Sequence, residues 1–230
     1  MPSFSYENPR NINGQAAESS EDQLYETVWD ILASTGYPSV TIENLKRQGC
    51  TDAQIALFSN AEELCTKAIR ELEERIRMFY RDITAEAREY LKQGTYQRDQ
   101  TFQKIERLLY RHIYLCLHPK NRSAVLLCMQ ENHLPEQYRK ELSAVLEEEF
   151  GSVLTKLILA GAEVKNETEA ALLSSMIIGS LSVFIQSPEY VRQVYKDASG
   201  RSPDYSIIED SLNNVLLRLI WTDTSINKPF

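Results

Sequence analysis

Residues 59–95 read SNAEELCTKAIRELEERIRMFYRDITAEAREYLKQGT. Apolar side chains recur there in steps of three or four, at Leu64, Ala68, Leu72, Ile76, Phe79, Ile83, Ala87 and Tyr90. On a repeat of 3.6 residues these positions form one stripe, and Glu, Lys and Arg fill the opposite face. Ser59-Asn60 offers capping groups at the start, and Gly94-Thr95 breaks the pattern at the end. The stretch predicts one amphipathic helix of about seven turns.

The same periodicity extends in both directions. Ser20-Glu21-Asp22-Gln23 has the spacing of a capping box, and the helix it opens carries Leu24, Val28, Ile31 and Leu32 on one face. Thr35-Gly36-Tyr37-Pro38 closes it. A short helix over Thr41 to Gln48 follows, with Ile42 and Leu45 expected inward, then a tight turn at Gly49-Cys50-Thr51 and a second short helix from Asp52 to Phe58 capped by Thr51. Residues 1–19 hold almost nothing apolar and read as a flexible arm.

Beyond residue 95, Phe102, Ile105, Leu109, His112 and Cys116 mark one helix, and a shorter one spans about Ser123 to Glu131. Pro135 opens a helix to about Gly161. Asn166 or Thr168 caps an apolar helix to Gln186, and Pro188 and Pro203 restart the chain before a last helix from about Asp204 to Trp221. No alternating strand pattern and no internal repeat is present, so the expected fold class is all-α.

Composition narrows the function classes. In 230 residues, 43% hydrophobic and 25% charged with a net charge of −8, the balance is that of an ordinary globular protein. The N-terminus shows no basic segment followed by an apolar run, and the apolar stretch Ala170 to Ile185 is interrupted by four serines, so neither a secretory signal nor a membrane span is expected. Cys50, Cys65, Cys116 and Cys128 form no C-x-x-C pair and read as buried thiols of a cytoplasmic protein.

Glycine-rich phosphate loops, G-x-S-x-G and H-E-x-x-H are absent. His112 and His118, six apart, face different ways and lack carboxylates to complete a metal set. No catalytic residue, metal or cofactor is expected, and Glu147-Glu148-Glu149 reads as a solvated face. Tyr80, Tyr90, Tyr96, Phe102, Tyr110, His112 and Tyr114 are candidates to line a ligand cavity between helices, against the plainer reading of core packing.

The order Ile31-Leu32-Ala33-Ser34-Thr35-Gly36-Tyr37, Val40-Thr41-Ile42-Glu43-Asn44-Leu45, Gly49-Cys50-Thr51, Ile55, Phe58 and Ser59-Asn60-Ala61-Glu62-Glu63-Leu64 resembles the opening of the tetracycline-repressor (TetR) family of bacterial transcriptional regulators. The motifs cover about residues 24–70, and beyond them only the helical layout is similar. The resemblance implies an arm over 1–19, a helix-turn-helix domain over 20–66, and a ligand-binding and dimerisation body over 67–230. It implies DNA contacts from Thr41, Lys46, Arg47, Thr51 and Gln54, with Gln54 on the exposed side of the recognition helix. It also implies a homodimer closed by Leu172, Leu173, Met176, Ile177 and Leu181 with Ile208, Leu212, Val215, Leu216 and Leu219, a DNA operator, and a small-molecule effector.

The head departs from the family pattern at Asp52, Ala56 and Ala61, where Lys, Tyr and Lys are usual. Residues 21–70 hold eight acids against Lys46, Arg47, Lys67 and Arg70, a net charge of −4, so the counterion-release contribution to DNA affinity is small. Two functions follow: a ligand-responsive homodimeric repressor, or a dimer of the same fold whose head has left DNA and serves as a protein- or ligand-binding module.

Overall fold

The computed structural model describes residues 20–118, 121–129, 133–162, 164–186, 193, 196 and 205–221. The expected arm and the restarts at Pro188 and Pro203 lie outside them. Every element among the described residues is helical. The helices are α1 (Ser20–Thr35), α2 (Ile42–Arg47), α3 (Asp52–Ile55), α4 (Ala61–Lys92), α5 (Arg98–Leu117), α6 (Arg122–Met129), α7 (Glu136–Leu146), α8 (Ser152–Gly161), α9 (Glu167–Gln186) and α10 (Tyr205–Ile220). The eight apolar positions predicted on α4 are all buried, as its spacing requires.

The chain forms two compact units. The first comprises Met1–Phe79 and Pro119–Leu146, and the second Tyr80–His118 and Glu147–Phe230. This division differs from the 20–66 and 67–230 expected from the sequence: α6 and α7 belong with the head. The physical reason is that α6 is apolar nearly all round, burying Ala124, Val125, Leu126, Leu127 and Cys128, and it covers α1. Tyr138 of α7 adds a hydrogen bond to Thr66 at 2.8 Å and stacks on Tyr37.

Within the first unit, α1 buries Leu24, Val28, Trp29, Ile31 and Leu32. The Trp29 indole donates to the Ala68 carbonyl of α4 at 2.8 Å, which satisfies a polar group that would otherwise be stranded. Arg75 lies over the Trp29 ring at 5.3 Å, donates from Nε to Glu71 at 2.7 Å and pairs with Asp22 on α1. Gly36 takes the left-handed conformation (φ 85°) that ends α1, and its N–H closes back on Ile31 and Leu32. Tyr37 then donates its N–H to the His133 carbonyl at 3.0 Å.

Within the second unit, α8 packs against α5 and α9, while α10 packs on α5. The helix expected over 135–161 is interrupted by one wide π turn, Glu147–Gly151. Ser174 of α9 donates to the Gly151 carbonyl at 3.3 Å at that turn. Asn166, not Thr168, caps α9, its Oδ1 accepting from the Glu169 N–H at 3.0 Å.

The Arg75 clamp generates a stability prediction. Its side chain is only 11% exposed, whereas Asp22 and Glu71 keep partial access to water. Arg75→Met should therefore cost about 2 kcal/mol, below the range for a fully buried pair. Urea denaturation at neutral pH measures this, and a change below about 0.5 kcal/mol would show that α1 does not depend on the clamp.

Candidate functional site

Short helices need their ends satisfied locally, because four residues or six cannot do so by propagation. Thr41 caps α2 by accepting the Asn44 N–H at 3.2 Å, and Asn44 Nδ2 reaches back to the Ser39 carbonyl at 2.8 Å. Leu45 is fully buried, but Ile42 is 49% exposed, not inward as expected, because α2 turns a single apolar row to the core. Gly49 (φ 92°) makes the turn into α3.

At α3 the Thr51 and Gln54 side chains cap each other reciprocally. Gln54 N–H donates to Thr51 Oγ1 at 3.3 Å, and Gln54 Oε1 accepts from the Thr51 N–H at 2.8 Å and from its hydroxyl at 2.9 Å. Gln54 Nε2 donates to the Ser20 carbonyl at 2.9 Å. Gln54 is thus half-buried with its amide engaged inside the head, a correction to the exposed, base-reading position expected for it. The helix is also shorter than predicted, ending at Ile55 and not at Phe58, whose ring instead meets Tyr25 edge-on at 6.1 Å.

Thr41, Lys46, Arg47 and Thr51 are all exposed. The two cations are each held by an acid of the head: Lys46 by Asp52 at 2.6 Å and Arg47 by Glu43 at 2.6 Å. Thr51 spends its hydroxyl proton on Gln54, whereas the Thr41 hydroxyl accepts from Asn44 and keeps its proton for another acceptor. Asn60 and Glu63 cap the start of α4, and the Ser59 N–H bonded to Glu63 draws that carboxyl down to about 2.

In the second unit the proposed pocket aromatics disperse. Tyr80 and His112 meet at 3.1 Å between the hydroxyl and Nδ1, and His112 stacks on Phe150 at 4.2 Å. Phe102 packs edge-on against Trp221, and Tyr114 against His118, while Tyr110 is half-buried on α5. These are core and boundary contacts and do not surround one cavity. A cavity of about 580 Å³ opens instead between the ends of α4 and α8, among Arg88, Lys92, Lys156 and Leu159, and of the expected aromatics it is Tyr96 that lines it. The sequence signal for it was a lysine, Lys156, standing in the otherwise apolar α8.

Glu149 is a second correction. It is buried, not part of a solvated face, because the π turn directs it between two guanidiniums. Arg81 donates to one carboxylate oxygen and Arg88 to the other, each at 2.9 Å. No group of three or more metal-ligating side chains is assembled among the described residues.

Of the ten residues expected at a dimer seam, Ile177, Leu181, Ile208, Leu212 and Leu216 are buried in the chain's own core, and Leu173 is half-buried. Leu172, Met176, Val215 and Leu219 are 48% to 65% exposed. No described helix is long and apolar enough to cross a membrane.

No family model matches the chain, and no curated protein matches its sequence. Among solved structures, it is similar to the fatty acid degradation regulator FadR from Bacillus halodurans, with 19% identity and a TM-score of 0.50. The match covers 85% of this chain and 97% of that one. At this identity the likeness is one of fold.

Complete burial lowers the His112 pKa to about 3, since no charge replaces the lost hydration. The unfolded chain binds a proton near pH 6.5 and the folded chain does not. Stability from neutral His112 is therefore fully present above pH 6.5 and is lost as pH falls from there toward 3, by about 1.4 kcal/mol per unit. His112→Gln should remove that slope: urea midpoints for the two proteins should converge between pH 7 and pH 5. Parallel curves would contradict a neutral buried imidazole.

Proposed function

We propose that the chain is a homodimeric, ligand-responsive transcription regulator of the TetR kind, a repressor acting in the cytoplasm and binding an operator through α2 and α3. The observation that carries this reading is the head itself: two short helices, each capped by an exposed threonine, set about the Gly49 turn, the second tied to α1 through Gln54. Similarity in fold to a bacterial regulator over nearly its whole length supports it.

In this reading Thr41 donates its free hydroxyl proton to a phosphate and so fixes register. Lys46 and Arg47 bind phosphates by exchanging Asp52 and Glu43 for them, an exchange that costs little because exposed ion pairs are weak. Thr51 and Gln54 hold the shape of the recognition segment. Leu172 and Met176 of α9 and Val215 and Leu219 of α10 form the seam with a second copy, burying side chains that a monomer leaves in water. An effector in the helical body then favours one spacing of the paired heads over another. No catalytic role is assigned.

Neutralisation of both cations favours a second reading, in which the acidic head docks a basic protein partner. The two readings part on one substitution. If the head binds DNA, Asp52→Asn releases Lys46, raises affinity several-fold at low salt and steepens the salt dependence by about one unit of logarithmic slope. Lys46→Ala does the reverse. A salt-titrated binding assay on duplex DNA measures both, and affinity indifferent to Asp52 and Lys46 would remove the DNA reading.

The seam has its own test. Met176→Asp combined with Val215→Asp should convert the dimer to a monomer with unchanged helix content, as read by analytical ultracentrifugation and circular dichroism. A dimer that survives both charges must be closed elsewhere.

A further inference from the structure

The cavity between the ends of α4 and α8 has walls of two kinds. Leu91, Val153, Leu159 and Ala160 make one side apolar, with Tyr96 at the rim. Leu157 and Ile158 are fully buried, whereas Leu159 beside them is 42% exposed and Tyr96 43% exposed. These two large side chains face the same hollow. Next to the lining residue Leu91, the Tyr90 hydroxyl bonds Thr101 at 2.7 Å and accepts the Gln97 N–H at 3.0 Å, tying the end of α4 to the start of α5.

The other wall is cationic. Arg88 spends Nε on Thr84 at 3.0 Å and Nη2 on the Glu149 carbonyl and carboxylate, both at 2.9 Å, so its position is fixed while Nη1 makes no bond among the described residues. Among the described residues Lys92 is held by the exposed Glu89, a weak tie. Lys156 has no acidic partner among the described residues. Arg81, outside the lining, takes the far oxygen of Glu149, so three lining cations stand against Glu89 and a Glu149 carboxylate shared with Arg81. In a chain of net charge −8 this is a local reversal of sign.

We infer that this groove binds an organic anion: a single carboxylate, sulfonate or phosphate head held by Arg88, Lys92 and Lys156, with an apolar body laid on Leu91, Val153 and Leu159. The volume suits a molecule of ordinary ligand size, and a guanidinium already fixed by Glu149 loses little freedom on binding. The inference concerns the chain alone and stands whether or not the head binds DNA.

The test uses the full chain and anilinonaphthalene sulfonate, an anion with an apolar body whose fluorescence rises on binding. Saturable one-site binding is expected, weakened by salt and about ten-fold by Lys156→Glu. Leu159→Asp should weaken it comparably, and Met78→Asp, at an exposed position of α4 outside the groove and outside the proposed seam, should leave it unchanged. Naphthalene sulfonate should displace the probe, while naphthylmethylamine, the same body with a cationic head, should not. Both groove substitutions lie at exposed positions, and Lys156→Glu alone suffices if Leu159→Asp perturbs the fold. Binding indifferent to Lys156→Glu, displacement by the amine, or no saturable site would each overturn the inference.

Discussion

One apolar stripe on one helix underlies both compact units. From Leu64 to Phe79 it supplies the core beneath α1, and from Tyr80 to Tyr90 it supplies the core that α5 and α8 complete. In folded proteins most helical stability comes from packing an apolar face, so the 32 residues of α4 rest chiefly on that burial. The polar bonds along it then fix direction: Ala68 accepts from Trp29, Arg75 clamps Asp22, and Arg81 and Arg88 grip Glu149. Burial supplies the energy, and these bonds select one arrangement of it.

The head shows geometry and charge under different constraints. Its caps are complete, with Thr41, Thr51 and Gln54 meeting the demands of helices too short to stand without them. Its cations are offset, Lys46 by Asp52 and Arg47 by Glu43. On the proposed DNA reading, a head so built draws little from non-specific attraction to phosphate and needs affinity from elsewhere, above all from pairing with a second head, which would multiply two weak contacts. Low non-specific affinity also keeps such a protein off bulk DNA, so the charge pattern is consistent with selectivity.

The sequence made the helices legible because period and caps are local signals. The stripe on α4, the breaks at Gly36 and Gly94 and the all-α class follow from residues near one another in the chain. Misreadings arose where a distant residue decides the outcome. Gln54 is turned inward by the Ser20 carbonyl, thirty-four positions away, and Glu149 by Arg81 and Arg88 across a π turn that no local pattern announces. The association of α6 with α1 is of the same kind. Apolar residues on α9 and α10 divide between the chain's own core and its surface, and periodicity alone cannot assign Ile177 to one and Met176 to the other. The groove beside Lys156 escaped notice for a different reason, since a lone lysine in an apolar helix is legible only once α4 lies opposite.

Paired heads on DNA are the centre of the functional account, and a hydroxyl-radical footprint tests them most directly. Duplexes enriched from a random pool by the protein should show two protected patches, spaced about one helical turn of roughly 10 base pairs and related by approximate two-fold symmetry. A single patch, diffuse protection along the duplex, or no enrichment from the pool would contradict the account and leave the acidic head to a protein partner.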